Sequence, residues 1–142
     1  VNSLRMEKAY RGWGSELTGE ISLVEAGMDR FFNLKKKNNF IGAKILQEKI
    51  QSGVDIKILY LEVDVGNVDA RGNEPVYHNN KVIGVVTSGG YGFRSQKSLA
   101  FAYVKSDLAE ASNLEIEIQG KKRKAKILHE VVYDPENKKL TA

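Results

Sequence analysis

The sequence contains no cysteine. That excludes a disulfide framework, a thiol nucleophile and a thiolate metal site. It has two histidines, His78 and His129, far apart and without carboxylates in ligand spacing, so no metal site is expected. No apolar run approaches bilayer-spanning length, and the N-terminus lacks a basic-then-apolar leader pattern. No membrane association is expected, and the compartment is read as cytoplasmic, or the mitochondrial matrix in a eukaryote. An initiator methionine is missing too: the chain starts Val1-Asn2-Ser3 and reads as a fragment of a longer protein. What is present suits a packed globular chain. Its 142 residues, 42% apolar and 28% charged, are enough for one domain, or a small domain with an attached piece. A net charge of +4 accommodates an anionic partner without calling for nucleic acid.

Residues 1–8 read as the end of a helix, broken by the glycines of Tyr10-Arg11-Gly12-Trp13-Gly14, where the single tryptophan reads as an aromatic plug in a turn. Ser22-x-x-Glu25 has capping-box spacing and predicts a short helical turn over 22–28. Residues 28–36 read as a strand with Phe31 and Phe32 on opposite sides, ending in a solvated lysine run. A second helix is predicted from Asn39 as N-cap through Ile41, Ile45, Leu46 and Ile50 to a stop at Gly53.

After residue 53 the period becomes strand-like, and a domain boundary is placed there. Residues 56–64 form a long strand apolar on both faces, buried on both sides or bulged. Residues 75–83 read as a hairpin turning at Asn79-Asn80. Two apolar runs flank Thr87-Ser-Gly-Gly-Tyr-Gly92, which reads as a tight turn. Leu114, Ile116 and Ile118 alternate with two glutamates, Gln119-Gly120 turns, and Lys-rich 121–128 follows; 131–133 reads as further strand. About six such strands predict a closed or nearly closed antiparallel barrel.

Composition and spacing carry little chemistry. The glycine-rich 87–92 stretch lacks both the P-loop and the dinucleotide-binding spacings. The basic run 121–126 is accounted for by cross-strand pairing with Glu115 and Glu117, so nucleic acid is not expected as a partner. No Ser-His-Asp arrangement emerges.

Four segments, however, resemble the folate-dependent aminomethyltransferases, the glycine-cleavage T-protein and its relatives. They are Ser3-Leu-Arg-Met-Glu-Lys-Ala-Tyr-Arg-Gly-Trp-Gly-Ser-Glu-Leu17, Val24-Glu-Ala-Gly-Met28, Asn39-Phe-Ile-Gly42 and Gly84-x-x-Thr-Ser-Gly with Lys97-Ser-x-Ala-x-Ala-Tyr-Val104. The wording Glu-Lys-Ala-Tyr-Arg-Gly-Trp-Gly is most similar to the tetrahydrofolate half of dimethylglycine and sarcosine dehydrogenases. The resemblance implies a mainly β fold, with a C-terminal antiparallel β-barrel over 53–142 preceded by an α+β segment, 1–52, the tail of the central folate-binding domain. It implies tetrahydrofolate as cofactor, with FAD only where an oxidoreductase domain lies upstream.

By the same resemblance Glu7 is the carboxylate that hydrogen-bonds the pterin ring, Lys36 the basic residue approaching the cofactor, and Arg71 the arginine ahead of the Pro75 hairpin. Tyr91 is placed near the cavity. Glu7 has a structural alternative, capping or pairing with Arg5 or Lys8, and Arg71 another, as an ordinary loop charge. The family's catalytic aspartate lies in a part of the fold without a counterpart here, so no residue of this chain is assigned catalysis and the segment alone is expected to be inactive. The implied activity is transfer of a one-carbon unit from an amine donor to tetrahydrofolate. The implied partners are folate, the amine donor, the upstream part of the same protein and, for a lipoyl-bound donor, a lipoyl carrier protein. A tetrahydrofolate-dependent demethylase and a non-catalytic folate-binding assembly factor of the same fold are the alternatives. The latter usually carries a cysteine motif that this chain lacks.

Overall fold

The computed structural model describes residues 1–35, 40–139 and 141. Its centre is a closed antiparallel barrel of six strands: β1 (Ile56–Val63), β2 (Pro75–His78), β3 (Lys81–Gly92), β4 (Lys97–Lys105), β5 (Leu114–Ile118) and β6 (Lys121–Ile127). Around the barrel the order is β1-β4-β3-β2-β5-β6, closed by β6 pairing with β1. Ahead of it lie α1 (Asn2–Glu7), a 3₁₀ turn (Asp29–Phe31) and α2 (Ala43–Ser52).

Local chemistry sets the turns. Asn79 and Asn80 both take positive φ, 49° and 61°, as a two-residue hairpin between right-twisted strands requires, and Gln119-Gly120 repeats the device. In β5 the alternation holds: Leu114, Ile116 and Ile118 are buried, and Glu115 and Glu117 lie opposite Lys124 and Lys122 of β6.

Two apolar clusters explain the two-faced strands. Leu59, Leu61 and Val63 of β1 and Ala100, Ala102 and Val104 of β4 point into the barrel. The alternate residues, Tyr60, Leu99 and Phe101, face outward and are buried with Met6 and Ala9 of the N-terminal segment. β4 is thus buried from Ser98 to Val104, because α1 and the chain after it cover its outer face. A fully buried side chain the size of Phe101 contributes about 2 kcal/mol.

Several local expectations are corrected. Residues 28–35 form no strand: Asp29–Phe31 is a 3₁₀ turn, leaving Phe31 exposed. Residues 131–133 pair with no strand; the barrel is already closed by β1 and β6, and Val131 and Val132 pack on the outer cluster instead. Trp13 is no plug, being 82% exposed. Thr87–Gly92 is not a turn but the second half of β3, with the chain reversing over 93–96. The Ser22/Glu25 pair does close a turn, the Ser22 N–H donating to Glu25 Oε2 at 2.7 Å. α2 ends at Gly53 as predicted but begins after Gly42, and the proposed cap Asn39 lies outside the described residues.

Candidate functional site

The glycines of β3 serve close approach. A Cβ on Gly89 would stand 2.4 Å from the carbonyl oxygen of Ala70, and one on Gly92 would stand 2.7 Å from Glu7 Cγ. Only side-chain-free backbone lets the 70–73 loop and α1 press onto this half of the strand. β2 pairs with β3 as far as Val85, and Asn73 N still donates to Val86 O at 2.8 Å; farther along β3, the carbonyls of Gly89 and Tyr91 are taken by α1. Asn2 Nδ2 donates to Gly89 O at 3.1 Å and Ser3 Oγ to Tyr91 O at 2.6 Å. An edge that would otherwise be open is covered by a helix.

A β-bulge at Thr87 interrupts the register between Val86 and Ser88. In a regular strand two successive side chains point to opposite faces; the bulge lets both hydroxyls reach one acceptor. That acceptor is Glu16, which is completely buried. Its Oε1 takes Thr87 Oγ1 at 2.6 Å and Ser88 Oγ at 2.5 Å. Its Oε2 takes Gly12 N at 2.7 Å, Ser15 Oγ at 3.0 Å and Arg5 Nη1 at 3.1 Å. Burial alone would raise this carboxyl's pKa. The hydrogen bonds from Ser88, Thr87, Gly12 and Ser15 outweigh it and hold the group below its ordinary range. Arg11 is a second partly buried charge. It donates to the carbonyls of Ala9 and Ala26 and lies 5.2 Å from the Phe101 ring centroid; burial, then the nearby Arg30, lowers its pKa.

Glu7 is 2% exposed. Its Oε1 accepts the backbone N–H groups of Arg94 at 2.9 Å and Ser95 at 2.6 Å, so it caps the β3–β4 turn. Its Oε2 makes no hydrogen bond among the described residues. Tyr91 is partly exposed and packs edge-on against Phe93, their centroids 5.2 Å apart. Arg71 is an exposed loop residue; the N–H groups of Arg71 and Gly72 donate to the Glu74 carboxylate, closing the turn into β2. Lys36 lies outside the described residues. Glu7, Tyr91 and Arg71 therefore border one stretch, residues 89–95: Glu7 through its bonds to 94 and 95, Tyr91 as a member, and Arg71 through Ala70 against Gly89.

Beside this stretch an open groove of about 1320 Å³ runs from Tyr91, Phe93 and Lys97 past the 64–69 loop to Asn79, Lys124 and Lys126. Its wall includes the Lys97–Glu62 ion pair and a hydrogen bond from Ser98 Oγ to Asp69 at 2.6 Å. Neither Glu7 nor Arg71 lines it. Among the described residues no group of His, Asp or Glu is arranged to hold a metal, and no helix is long and apolar enough to cross a membrane.

Sequence reading missed Glu16. The Thr87-Ser88 pair was the only hint, and nothing local connects it to a carboxylate more than seventy positions earlier.

Residues 57–134, which take in nearly all of this barrel, match the family model of the glycine cleavage T-protein C-terminal barrel domain. The chain belongs to that family. It is 41% identical to mitochondrial dimethylglycine dehydrogenase of Rattus norvegicus, an alignment covering 99% of this chain and 17% of that protein. It is 33% identical to an aminomethyltransferase of Synechocystis sp., covering 96% of this chain and 37% of that one. The crystal structure of the glycine cleavage system aminomethyltransferase T from Bartonella henselae superposes with a TM-score of 0.82 at 25% identity, covering 94% of this chain and 38% of that one. The chain thus spans well under half the length of these relatives.

Proposed function

We propose that this chain is the C-terminal portion of an aminomethyltransferase-like protein that passes a one-carbon unit from an amine donor to tetrahydrofolate. In this reading residues 1–52 are the tail of the central folate-binding domain and 53–142 the barrel that covers the cavity. The carrying observation is Glu7. One carboxylate oxygen is fixed by two backbone N–H groups and the other has no partner among the described residues, on a buried side chain at the position the family resemblance assigns to the pterin. A fixed carboxylate suits the N–H groups of an aminopyrimidinone edge, and charge-assisted bonds of this kind are the stronger ones. Tyr91 with Phe93 offers an aromatic surface beside it, and Arg71 and Lys36 are the cations assigned to the same ligand. Bound folate would supply the nucleophilic nitrogen that accepts the one-carbon unit. The residues of this chain bind and orient it, a contribution of proximity rather than of acid–base chemistry.

The exposed apolar residues Phe31, Ile41 and Ile45 of the N-terminal segment suit contact with the upstream part of the same protein. The higher identity to dimethylglycine dehydrogenase than to the aminomethyltransferase favours a free amine donor, with FAD in an upstream domain, over a lipoyl-bound donor on a carrier protein. That relative's mitochondrial name favours the matrix where the source is a eukaryote, and the cytoplasm otherwise. The test is titration of the full-length protein with 5-formyltetrahydrofolate, wild type against Glu7→Ala. Loss of one charge-assisted bond predicts affinity lower by roughly tenfold or more. An unchanged dissociation constant overturns the assignment of Glu7, and no binding by the wild type overturns the folate reading.

A further inference from the structure

Glu16 belongs to none of the residue sets predicted from the sequence, yet its side chain collects more hydrogen bonds than that of Glu7, Arg71 or Tyr91. Five donors converge on its two oxygens: Arg5 from α1, Gly12 and Ser15 from the Trp13 turn, and Thr87 and Ser88 from the β3 bulge. Its own carbonyl oxygen accepts the phenol of Tyr103 on β4 at 2.8 Å. An ion pair built only for stability needs one cation. Here the carboxylate joins three segments and the residue's carbonyl a fourth, and Arg5 stands two positions before Glu7 on the same short helix.

We infer that Glu16 is a positioning residue for the ligand contact of Glu7, fixing α1 against β3 so that the Glu7 carboxylate is held at the 93–96 turn. The inference rests on the folate reading above. Its physical basis is the asymmetry of buried hydrogen bonding. With Glu16 in place every donor is satisfied. Without its negative charge Arg5 loses its buried partner, two adjacent hydroxyls and an N–H lose a strong acceptor, and the cheapest relief is for α1 to move off the strand. Since Glu7 reaches Arg94 and Ser95 from the last turn of α1, such a shift displaces its free oxygen as well.

The full-length Glu16→Gln variant tests this. Gln keeps the shape and removes the charge. Thr87→Ala, which deletes one of the five bonds and leaves Glu16, is the milder second variant. For each, the thermal midpoint and the dissociation constant for 5-formyltetrahydrofolate are measured separately. The inference predicts that the dissociation constant rises roughly tenfold in Glu16→Gln and less in Thr87→Ala, at temperatures where both remain folded. It further predicts that combining Glu16→Gln with Glu7→Gln adds little to either single loss. A lower midpoint with wild-type affinity makes Glu16 merely structural and overturns the inference while the folate reading stands. Wild-type protein that binds no folate removes both.

Discussion

Tyr60 and Tyr103 show how single residues fasten the N-terminal segment to the barrel. Both phenols lie under that segment, and each donates to a backbone carbonyl of it, Met6 O and Glu16 O, both at 2.8 Å. Burial, then nearby carboxylates, raises both pKa values, that of Tyr103 from 10.0 to about 12. The neutral phenol is the form the folded state holds. Unfolded, the tyrosines ionise near pH 10; folded, Tyr103 resists until about pH 12. The contribution of Tyr103 is therefore whole below about pH 10 and is lost as pH rises from 10 through 12, and that of Tyr60 is lost in the same direction. Absorbance of tyrosinate, followed together with unfolding, should show three of the six tyrosines ionising late, the buried Tyr60 and Tyr103 and the partly exposed Tyr77, raised by its hydrogen bond to Glu117, with the free energy of unfolding falling as the buried pair ionises. Ionisation of all six in one step near pH 10 would contradict the buried geometry.

Among the elements, β3 departs furthest from its sequence and so makes the sharpest prediction. Gly89→Ala places a methyl 2.4 Å from a backbone oxygen and should cost about 2 kcal/mol or more, read from the urea midpoint. Gly19→Ala, with nothing within 4 Å, should be close to neutral. At the β2–β3 turn, where Asn80 already holds φ 61°, Asn80→Gly should stabilise by roughly 0.5 kcal/mol. The same contrast explains what was legible. The β5 alternation, the Asn79-Asn80 and Gln119-Gly120 turns and the Gly53 stop depend on neighbours within a few residues, so they can be read directly. The glycine run cannot: a residue without a side chain carries no periodicity, and its reason lies at Ala70 and Glu7. Thr87 and Ser88 likewise answer to Glu16, 71 and 72 positions away. The phenylalanines at 31 and 32 misled because an apolar pair in a turn looks the same as one in a strand.

For the whole molecule, the barrel supplies a rigid strand pair and the N-terminal segment lays α1 along it. The C-terminal residues tie the arrangement down: Lys8 Nζ donates to Asp134 O and Asn137 Oδ1, both at 2.7 Å, and Tyr133 N donates to Glu7 O. The contact proposed for the ligand is thus made by one of the most constrained side chains, and its proposed partner is the ring system rather than the glutamate tail. The direct test compares two ligands on one pair of proteins. Wild type and Glu7→Gln are titrated with 5-formyltetrahydrofolate and with 4-aminobenzoylglutamate, which has the tail and no pterin. The account predicts that Glu7→Gln weakens the first by roughly tenfold and leaves the second unchanged. Equal loss for both ligands, or no loss for the first, would contradict it.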